Sequence, residues 1–151
     1  TQYKNYFGAF KSCNVNKGLG WCGICPKCAS VYTLLYPFVE RNDMVGIFST
    51  DLFENKELIG LFEQLLGIAG NKPFECVGTY EETWVALFLA WRKIEQSESV
   101  LPIILNHFDS VLRVREKELA IKADQMLHAW NDEHLVPKEM VATLRQELQK
   151  I

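Results

Sequence analysis

The sequence predicts a mainly α-helical protein for this chain of 151 residues. Apolar residues recur at helical spacing in several segments that start with capping residues, and no segment shows the apolar–polar alternation of a half-buried strand. Hydrophobic residues make up 48% of the chain, which is enough to bury a core. We therefore expect a small helical bundle.

The first helix is predicted within "CPKCASVYTLLYPFV". Pro26 is suited to its first turn, and Pro37 should end or kink it. Its apolar residues on one face are Val31, Leu34, Leu35 and Phe38. The next segment, "MVGIFSTDLF", is a short apolar run whose periodicity does not decide between helix end, connector and strand.

Two further helices have clear ends. "NKELIGLFEQLLG" offers Asn55 as a cap and Gly67 as a stop, and "TYEETWVALFLAWRK" begins with Thr79 and Glu82 at capping-box spacing. The apolar positions of the first are Leu58, Leu61, Phe62, Leu65 and Leu66, and those of the second are Trp84, Leu87, Phe88 and Trp91. A helix that starts near residue 80 is thus predicted most directly.

Three more helical segments follow: "VLPIILNHFDSVL", "REKELAIKADQMLHAW" and "PKEMVATLRQELQKI", the last with Pro137 in its first turn. The charged residues of the middle one predict a solvated helix face. The tryptophans are expected in the core, since most have apolar neighbours at helical spacing; they are Trp21, Trp84, Trp91 and Trp130.

Four of the five cysteines lie in "SCNVNKGLGWCGICPKC", with the spacing C-x8-C-x2-C-x2-C; they are Cys13, Cys22, Cys25 and Cys28. Thiols only three positions apart cannot pair with one another without strain, whereas one tetrahedral ion can bind all four. Structural zinc is the main interpretation, with an iron–sulfur cluster and a redox dithiol as alternatives. A closed four-thiolate site has no open position for water, so it would staple the loop rather than catalyse.

We therefore expect a zinc-binding loop with the first helix in residues 1–45 and a helical domain in residues 46–151. The first 39 residues contain four lysines and no acidic residue, a basic start too sparse to indicate nucleic-acid binding. No signal peptide and no apolar run of membrane-spanning length is recognised, and paired thiols suit a reducing compartment. We expect a cytoplasmic piece of a longer protein.

The cysteine spacing, with Gly23 after the second cysteine, is similar to the zinc loop of cyano-deazaguanine synthases, which are PP-loop ATP pyrophosphatases. A longer resemblance runs over roughly residues 10–92. "SCNVN", "WCGICPKCASVYTLLYPFV", "IFSTDLF" and "KPFECVGTYEE", in this order, resemble the C-terminal half of UDP-N-acetylmuramoyl-L-alanyl-L-glutamate epimerases, cytoplasmic bacterial enzymes of peptidoglycan precursor synthesis.

The second resemblance implies an ATP-dependent isomerase that inverts the terminal L-Glu of a UDP-muramoyl dipeptide through an adenylated carboxylate, assisted by Mg²⁺. The chain has no Gly-rich Ser/Asp phosphate loop of the PP-loop kind. ATP and Mg²⁺ are therefore expected to bind an upstream domain of the same protein, which would be this chain's partner. The chain by itself should be inactive.

The stretch "KPFECVGTYEE" is the candidate substrate site, because it is a turn that leads into a helix N-terminus, where free N–H groups face anions. Inversion at Cα needs an acid and a base, for which Cys76 and Glu75 are candidates, as is an upstream residue. Lys72 and Glu81 are candidates for binding substrate. Against these roles, capping explains Glu82, the helix dipole explains Glu81, and burial would explain Cys76.

Two other functions remain open from the sequence. One is the C-terminal domain of a different PP-loop ATPase that modifies nucleobases. The other is a non-catalytic zinc module that binds protein or nucleic acid, which a contiguous face of Lys4, Lys11, Lys17 and Lys27 would favour.

Overall fold

The computed structural model describes residues 4–16, 20–97 and 100–148, and within these ranges it contains seven α-helices and no strand. The helices are α1 Pro26–Leu35, α2 Arg41–Phe48, α3 Ile59–Leu66, α4 Tyr80–Ser97, α5 Ile103–Val114, α6 Glu116–Leu127 and α7 Lys138–Leu148. Short 3₁₀ turns occur at Lys4–Tyr6, Leu52–Glu54 and Lys56–Leu58. The predicted helical bundle is confirmed, and Lys17 of the basic start lies outside the described residues.

Helix α4 is the centre of the bundle and packs against α1, α3, α5 and α6. Every residue from 83 to 88 is buried, so the helix is covered on all sides over this stretch. A helix with buried residues around its circumference is a core helix rather than a surface one. The other helices are therefore arranged around α4.

The N-terminus of α4 carries the predicted capping box. The Thr79 backbone N–H donates to the Glu82 carboxylate at 2.7 Å, and the Glu82 N–H donates to Thr79 Oγ1 at 3.1 Å. These two reciprocal bonds satisfy backbone donors that the first helical turn leaves without partners. The helix start near residue 80 is confirmed.

We expect Thr79→Ala to reduce the free energy of unfolding by about 1 kcal/mol, the typical loss for an N-cap threonine.

The backbone and side chain of Thr79 lower the pKa of Glu82. A lowered pKa contributes stability above the ordinary carboxyl pKa and loses it as the pH falls through the folded pKa. Alanine keeps the backbone donor but removes the Thr79 hydroxyl, which also donates to this carboxylate at 3.0 Å. The part of the difference between Thr79→Ala and wild type that comes from this hydroxyl bond should therefore shrink below about pH 4. Melting curves of both proteins at pH 7 and in acid measure this difference in stability, with Thr143→Ala, at an exposed threonine, as the control. A difference that does not change with pH contradicts the role of the Glu82 carboxylate.

Helix α1 buries a different face from the one that its aliphatic residues predict. Of the residues on the predicted face, Val31 and Leu35 are partly buried against the core, whereas Leu34 and Phe38 are 37% and 52% exposed. The residues that it buries instead are Cys28, Ala29, Ser30, Tyr32 and Thr33, followed by Tyr36 just after the helix. Tyr32 and Tyr36 bring large ring areas into the core, and rings of this size outweigh aliphatic side chains in burial.

The segment whose structure the sequence left undecided contains most of α2 and a 3₁₀ turn, joined at Ser49, which is left-handed with φ 64°. Asp51 holds this segment to α1: it accepts from the Tyr32 hydroxyl at 2.7 Å and from Arg41 Nε at 2.8 Å. The Phe53 backbone N–H donates to the same carboxylate at 2.9 Å. Because three donors bind the Asp51 carboxylate, the chain that leads from α2 to α3 is fixed against α1.

Helix α3 ends as its sequence predicts, with Gly67 in the left-handed conformation at φ 70°. Asn55 caps the 3₁₀ turn just before α3, because its side chain accepts from the Glu57 backbone N–H at 3.0 Å. The indole N–H of Trp84 on α4 donates to the Leu66 carbonyl at 2.9 Å, which ties the end of α3 to the centre of the bundle.

Helix α7 contributes no buried residue, unlike α5 and α6. Its Arg145 pairs with Asp132 and lies over the Trp130 ring, 5.0 Å from the centroid. The core position predicted for Trp130 is therefore wrong: this half-buried tryptophan contacts His134 and Arg145, whereas Trp21, Trp84 and Trp91 are buried. None of the helices in the described ranges has the length and apolar character needed to cross a membrane.

Candidate metal centre and the adjoining turn

The four cysteine side chains of the N-terminal motif converge at the start of α1. The sulfur atoms of Cys13, Cys22, Cys25 and Cys28 all lie within 4.8 Å of one another. Individual separations are 4.0 Å for Cys13–Cys25, 3.6 Å for Cys22–Cys28 and 3.4 Å for Cys25–Cys28. All four are free thiols, since a disulfide requires sulfurs about 2 Å apart.

This geometry fits a single tetrahedral ion. Four sulfurs that each lie about 2.3 Å from a central zinc are about 3.8 Å from one another. The three separations given above bracket this value, and the other pairs lie within 4.8 Å. Within the part of the chain that the structure describes, the four thiols have no further candidate ligand beside them and make a closed donor set, which is typical of a structural rather than a catalytic site.

The local backbone is folded around the sulfurs. Cys25 is the N-cap of α1, its Sγ accepts from the Cys28 N–H at 3.5 Å, and Pro26 begins the helix. Gly23 is left-handed with φ 73°, and a Cβ on it would lie 3.3 Å from Thr50 Cγ2. Glycine therefore lets the chain turn between two ligands while it lies close to the 49–51 connector.

The protein surroundings affect the four thiols differently. Burial raises the pKa values of Cys25 and Cys28. Burial also acts to raise the pKa of Cys13, but hydrogen bonds from backbone N–H groups, foremost that of Asn16, outweigh it and lower this pKa to about 6. Buried thiolates need a positive charge nearby, and a divalent cation bound among them supplies it.

Trp21 attaches the cysteine segment to the helical core. Its indole N–H donates to the Phe10 carbonyl at 3.1 Å, and its ring lies 4.5 Å from that of Phe48. Because Trp21 directly precedes Cys22, the position of the second ligand is fixed to the core as well.

The turn predicted as the substrate site lies beside this cluster. Lys72, Glu75 and Cys76 line a surface depression of about 470 Å³ together with Pro73 and Phe74. Cys76 is exposed. Burial as an explanation for this cysteine is therefore wrong, and its thiol is accessible to a bound molecule.

Hydrogen bonds join the turn to the cysteine segment. Asn14 Nδ2 donates to Glu75 Oε2 at 3.0 Å, and Lys27 Nζ donates to the Cys76 carbonyl at 2.7 Å. The sequence predicted the metal motif and the turn separately and gave no reason to connect them. Asn14 was not predicted as a functional residue, and Lys27 was considered only as part of a lysine face, although each stands next to a cysteine of the motif.

Glu81 lies outside this depression. It belongs to the first turn of α4, and its carboxylate pairs with Lys122 of α6. Lys72, by contrast, lies at the depression with its ammonium 5.4 Å from the Tyr80 ring centroid. The structure therefore groups Lys72, Glu75 and Cys76 and places Glu81 apart; its substrate-binding role stays a prediction.

Residues 9–118 match the family described as the MurL C-terminal domain. Similar curated proteins are named UDP-N-acetyl-alpha-D-muramoyl-L-alanyl-L-glutamate epimerase. The protein from a Micromonospora species is 42% identical over 93 residues, 58% of this chain and 21% of its own length. The protein from Salinispora tropica is 36% identical over 103 residues, which is 68% of this chain and 22% of the relative's own length. The protein from Xanthomonas oryzae pv. oryzae is 34% identical over 103 residues, covering 64% of this chain and 23% of the relative's own length.

The chain thus spans little more than a fifth of the length of these relatives. No solved structure matches it. The family match covers α1 to α5 and the start of α6, which includes the cysteine cluster and the turn at residues 72–78 but excludes α7. On this match, the chain belongs to the MurL C-terminal domain family.

Proposed function

We propose that the protein to which this domain belongs converts the terminal L-Glu of UDP-MurNAc-L-Ala-L-Glu to D-Glu for peptidoglycan precursor synthesis. The observation that carries the proposal is the family match over residues 9–118. The names of the curated relatives give the substrate. The family match includes both the cysteine cluster and the turn. As in the sequence analysis, we place the enzyme in the cytoplasm.

We further propose a division of cofactors along the protein. Structural zinc is held in this domain by the four thiols, and ATP with Mg²⁺ binds the upstream domain, since this chain carries no phosphate loop. Bound ATP supplies the activation of the substrate carboxylate. We propose that residues 1–45 form the zinc-binding part and residues 46–151 the helical domain. The two parts share one hydrophobic core, which contains residues from both.

In this proposal the turn supplies one of the two proton-transfer groups. Inversion removes the proton from Cα on one face and returns a proton on the other, so two groups must face the substrate from opposite sides. Glu75 is suited to the base because Asn14 holds its carboxylate in place. Cys76 is the other candidate on this turn, and an upstream residue then approaches from the opposite face.

Lys72 is the group that we propose for binding the substrate's negative charge. It lines the same depression as Glu75 and Cys76, and its ammonium can contact a carboxylate or diphosphate. The lysine-face alternative gains no support, because Lys4 pairs with Asp43 at 2.7 Å and Lys27 donates to the Cys76 carbonyl. The nucleobase-modifying alternative has no observation in its favour.

The intact protein tests the proposal when it is incubated with UDP-MurNAc-L-Ala-L-Glu, ATP and Mg²⁺. We expect D-Glu in the hydrolysed product and, in D₂O, deuterium at the glutamate Cα. The isolated 151-residue chain should give neither, because the proposed ATP site lies upstream. Absence of D-Glu with the intact, metal-loaded protein would refute the proposed reaction, and turnover by the isolated chain would refute the division of cofactors.

A further inference from the structure

Three hydrogen bonds of long sequence separation attach the turn at residues 72–78 to the cysteine segment. Two are the Asn14–Glu75 and Lys27–Cys76 bonds described above. In the third, the backbone N–H of Gly78 donates to Ser30 Oγ at 3.3 Å, and Ser30 is itself buried in α1. The turn is therefore held at its middle and at its end.

All three partners stand beside metal-ligand candidates in the chain. Asn14 follows Cys13, Lys27 precedes Cys28, and Ser30 is two residues beyond it. A bound ion that fixes the sulfur atoms also fixes the backbone next to them. The positions of Asn14 and Lys27 thus depend on the same event that orders the cysteine loop, whereas Ser30 is also held by the packing of α1 against α4.

Besides these bonds, Val77 is partly buried and packs against the hydrophobic core, and little else holds the turn. No residue from 67 to 79 is buried, and the Phe74 side chain is fully exposed. Its internal hydrogen bonds are short-range ones, from the Glu75 N–H to the Pro73 carbonyl and from the Val77 N–H to the Glu75 carbonyl, both at 2.9 Å. Three-residue turns of this kind do not by themselves fix a loop relative to its surroundings.

We propose that the metal-ordered cysteine segment is the template that positions the 72–78 turn, with Asn14 and Lys27 as its positioning residues. Metal binding and the order of the turn are then coupled, although none of the residues of the turn is a ligand. The coupling itself does not depend on the reaction; its consequence for epimerisation rests on the proposed function. In that reaction, the template holds Glu75 and Cys76 at the distance that proton transfer requires.

Hydrogen exchange of the intact protein, read by mass spectrometry on peptides covering residues 72–78, tests whether Asn14 and Lys27 position the turn. The same peptides, compared before and after removal of the metal by a chelator, test the coupling, which predicts faster exchange in the metal-free protein. We expect Asn14→Ala combined with Lys27→Met to raise the exchange rate of the turn about 10-fold or more, with one metal ion per chain still bound. Peptides from α5 serve as an internal reference and should not change. Lys11→Met, at another lysine of the N-terminal segment, is the matched control. Unchanged exchange in the metal-loaded double variant overturns the proposal.

A reversed pair makes the test independent of how well single variants fold. Asn14→Asp places a carboxylate against Glu75 and should loosen the turn. Asn14→Asp combined with Glu75→Gln restores the hydrogen bond in the opposite direction, with the donor at position 75 and the acceptor at position 14. We expect the second variant to regain wild-type exchange, and equal, fast exchange in both variants overturns the proposal. Because exchange is measured without substrate, its outcome is separate from success or failure of the epimerase assay.

Discussion

Cys28→Ser should abolish stoichiometric metal binding and lower the melting temperature by about 10 °C or more. Cys28 is fully buried at the start of α1, and its sulfur lies 3.6 Å from that of Cys22 and 3.4 Å from that of Cys25. Structural zinc sites contribute about 10–16 kcal/mol of apparent binding free energy at pH 7, much of it as folding free energy. Loss of about 5 kcal/mol of this suffices, because 1 kcal/mol shifts the melting temperature of a domain this size by about 2–4 °C.

Metal analysis of protein purified without chelator, together with melting curves, measures this effect. We expect about one zinc per chain in the wild type and in Cys76→Ser, which removes the one cysteine outside the cluster. Visible charge-transfer absorption would identify an iron–sulfur cluster instead. A metal-free wild type, or a Cys28→Ser variant that melts like the wild type, would contradict a structural metal site.

Local signals in the sequence predicted the helices well where capping and periodicity agreed. Thr79 with Glu82 determined the start of α4, and Gly67 determined the end of α3. Both signals act through backbone groups within a few residues, so they can be recognised without knowledge of the tertiary fold.

The sequence failed where packing between distant segments decides. The buried face of α1 is set by Tyr32, whose hydroxyl reaches Asp51, and by aromatic neighbours from α2 and the following 3₁₀ turn. Trp130 has apolar and charged residues on both sides in the sequence, yet its partner is Arg145 of α7. The periodicity of apolar residues within one helix does not predict contacts with residues far away in the sequence.

The candidate site shows the same contrast. The spacing of the four cysteines specified their cluster, because thiols so close in sequence can readily converge on one point. The attachment of the 72–78 turn to that cluster depends on bonds between residues 48 to 61 positions apart. Only the tertiary fold reveals that Asn14 and Lys27 contact the turn.

The other large effect concerns the intact protein: if Cys76 is the proton-transfer group that the turn supplies, Cys76→Ala should lower epimerisation by about 100-fold or more. This is the order of loss when a positioned acid or base is removed. Because the side chain is exposed and outside the core, stability should change by no more than about 0.5 kcal/mol. The bond from Lys27 is retained in this variant, since its acceptor is the backbone carbonyl of residue 76.

Glu75→Gln is the matched variant at the neighbouring position, because the glutamine side-chain oxygen can still accept from Asn14 while the negative charge is lost. If Glu75 is the base, this variant should lose deuterium incorporation at the glutamate Cα with the turn still in place. If Cys76 acts as the base, its alanine variant should lose that incorporation instead. Retained incorporation with reduced D-Glu formation indicates damage to a different step. Wild-type turnover in both variants would remove the turn from the proton-transfer machinery and assign both groups to the upstream domain.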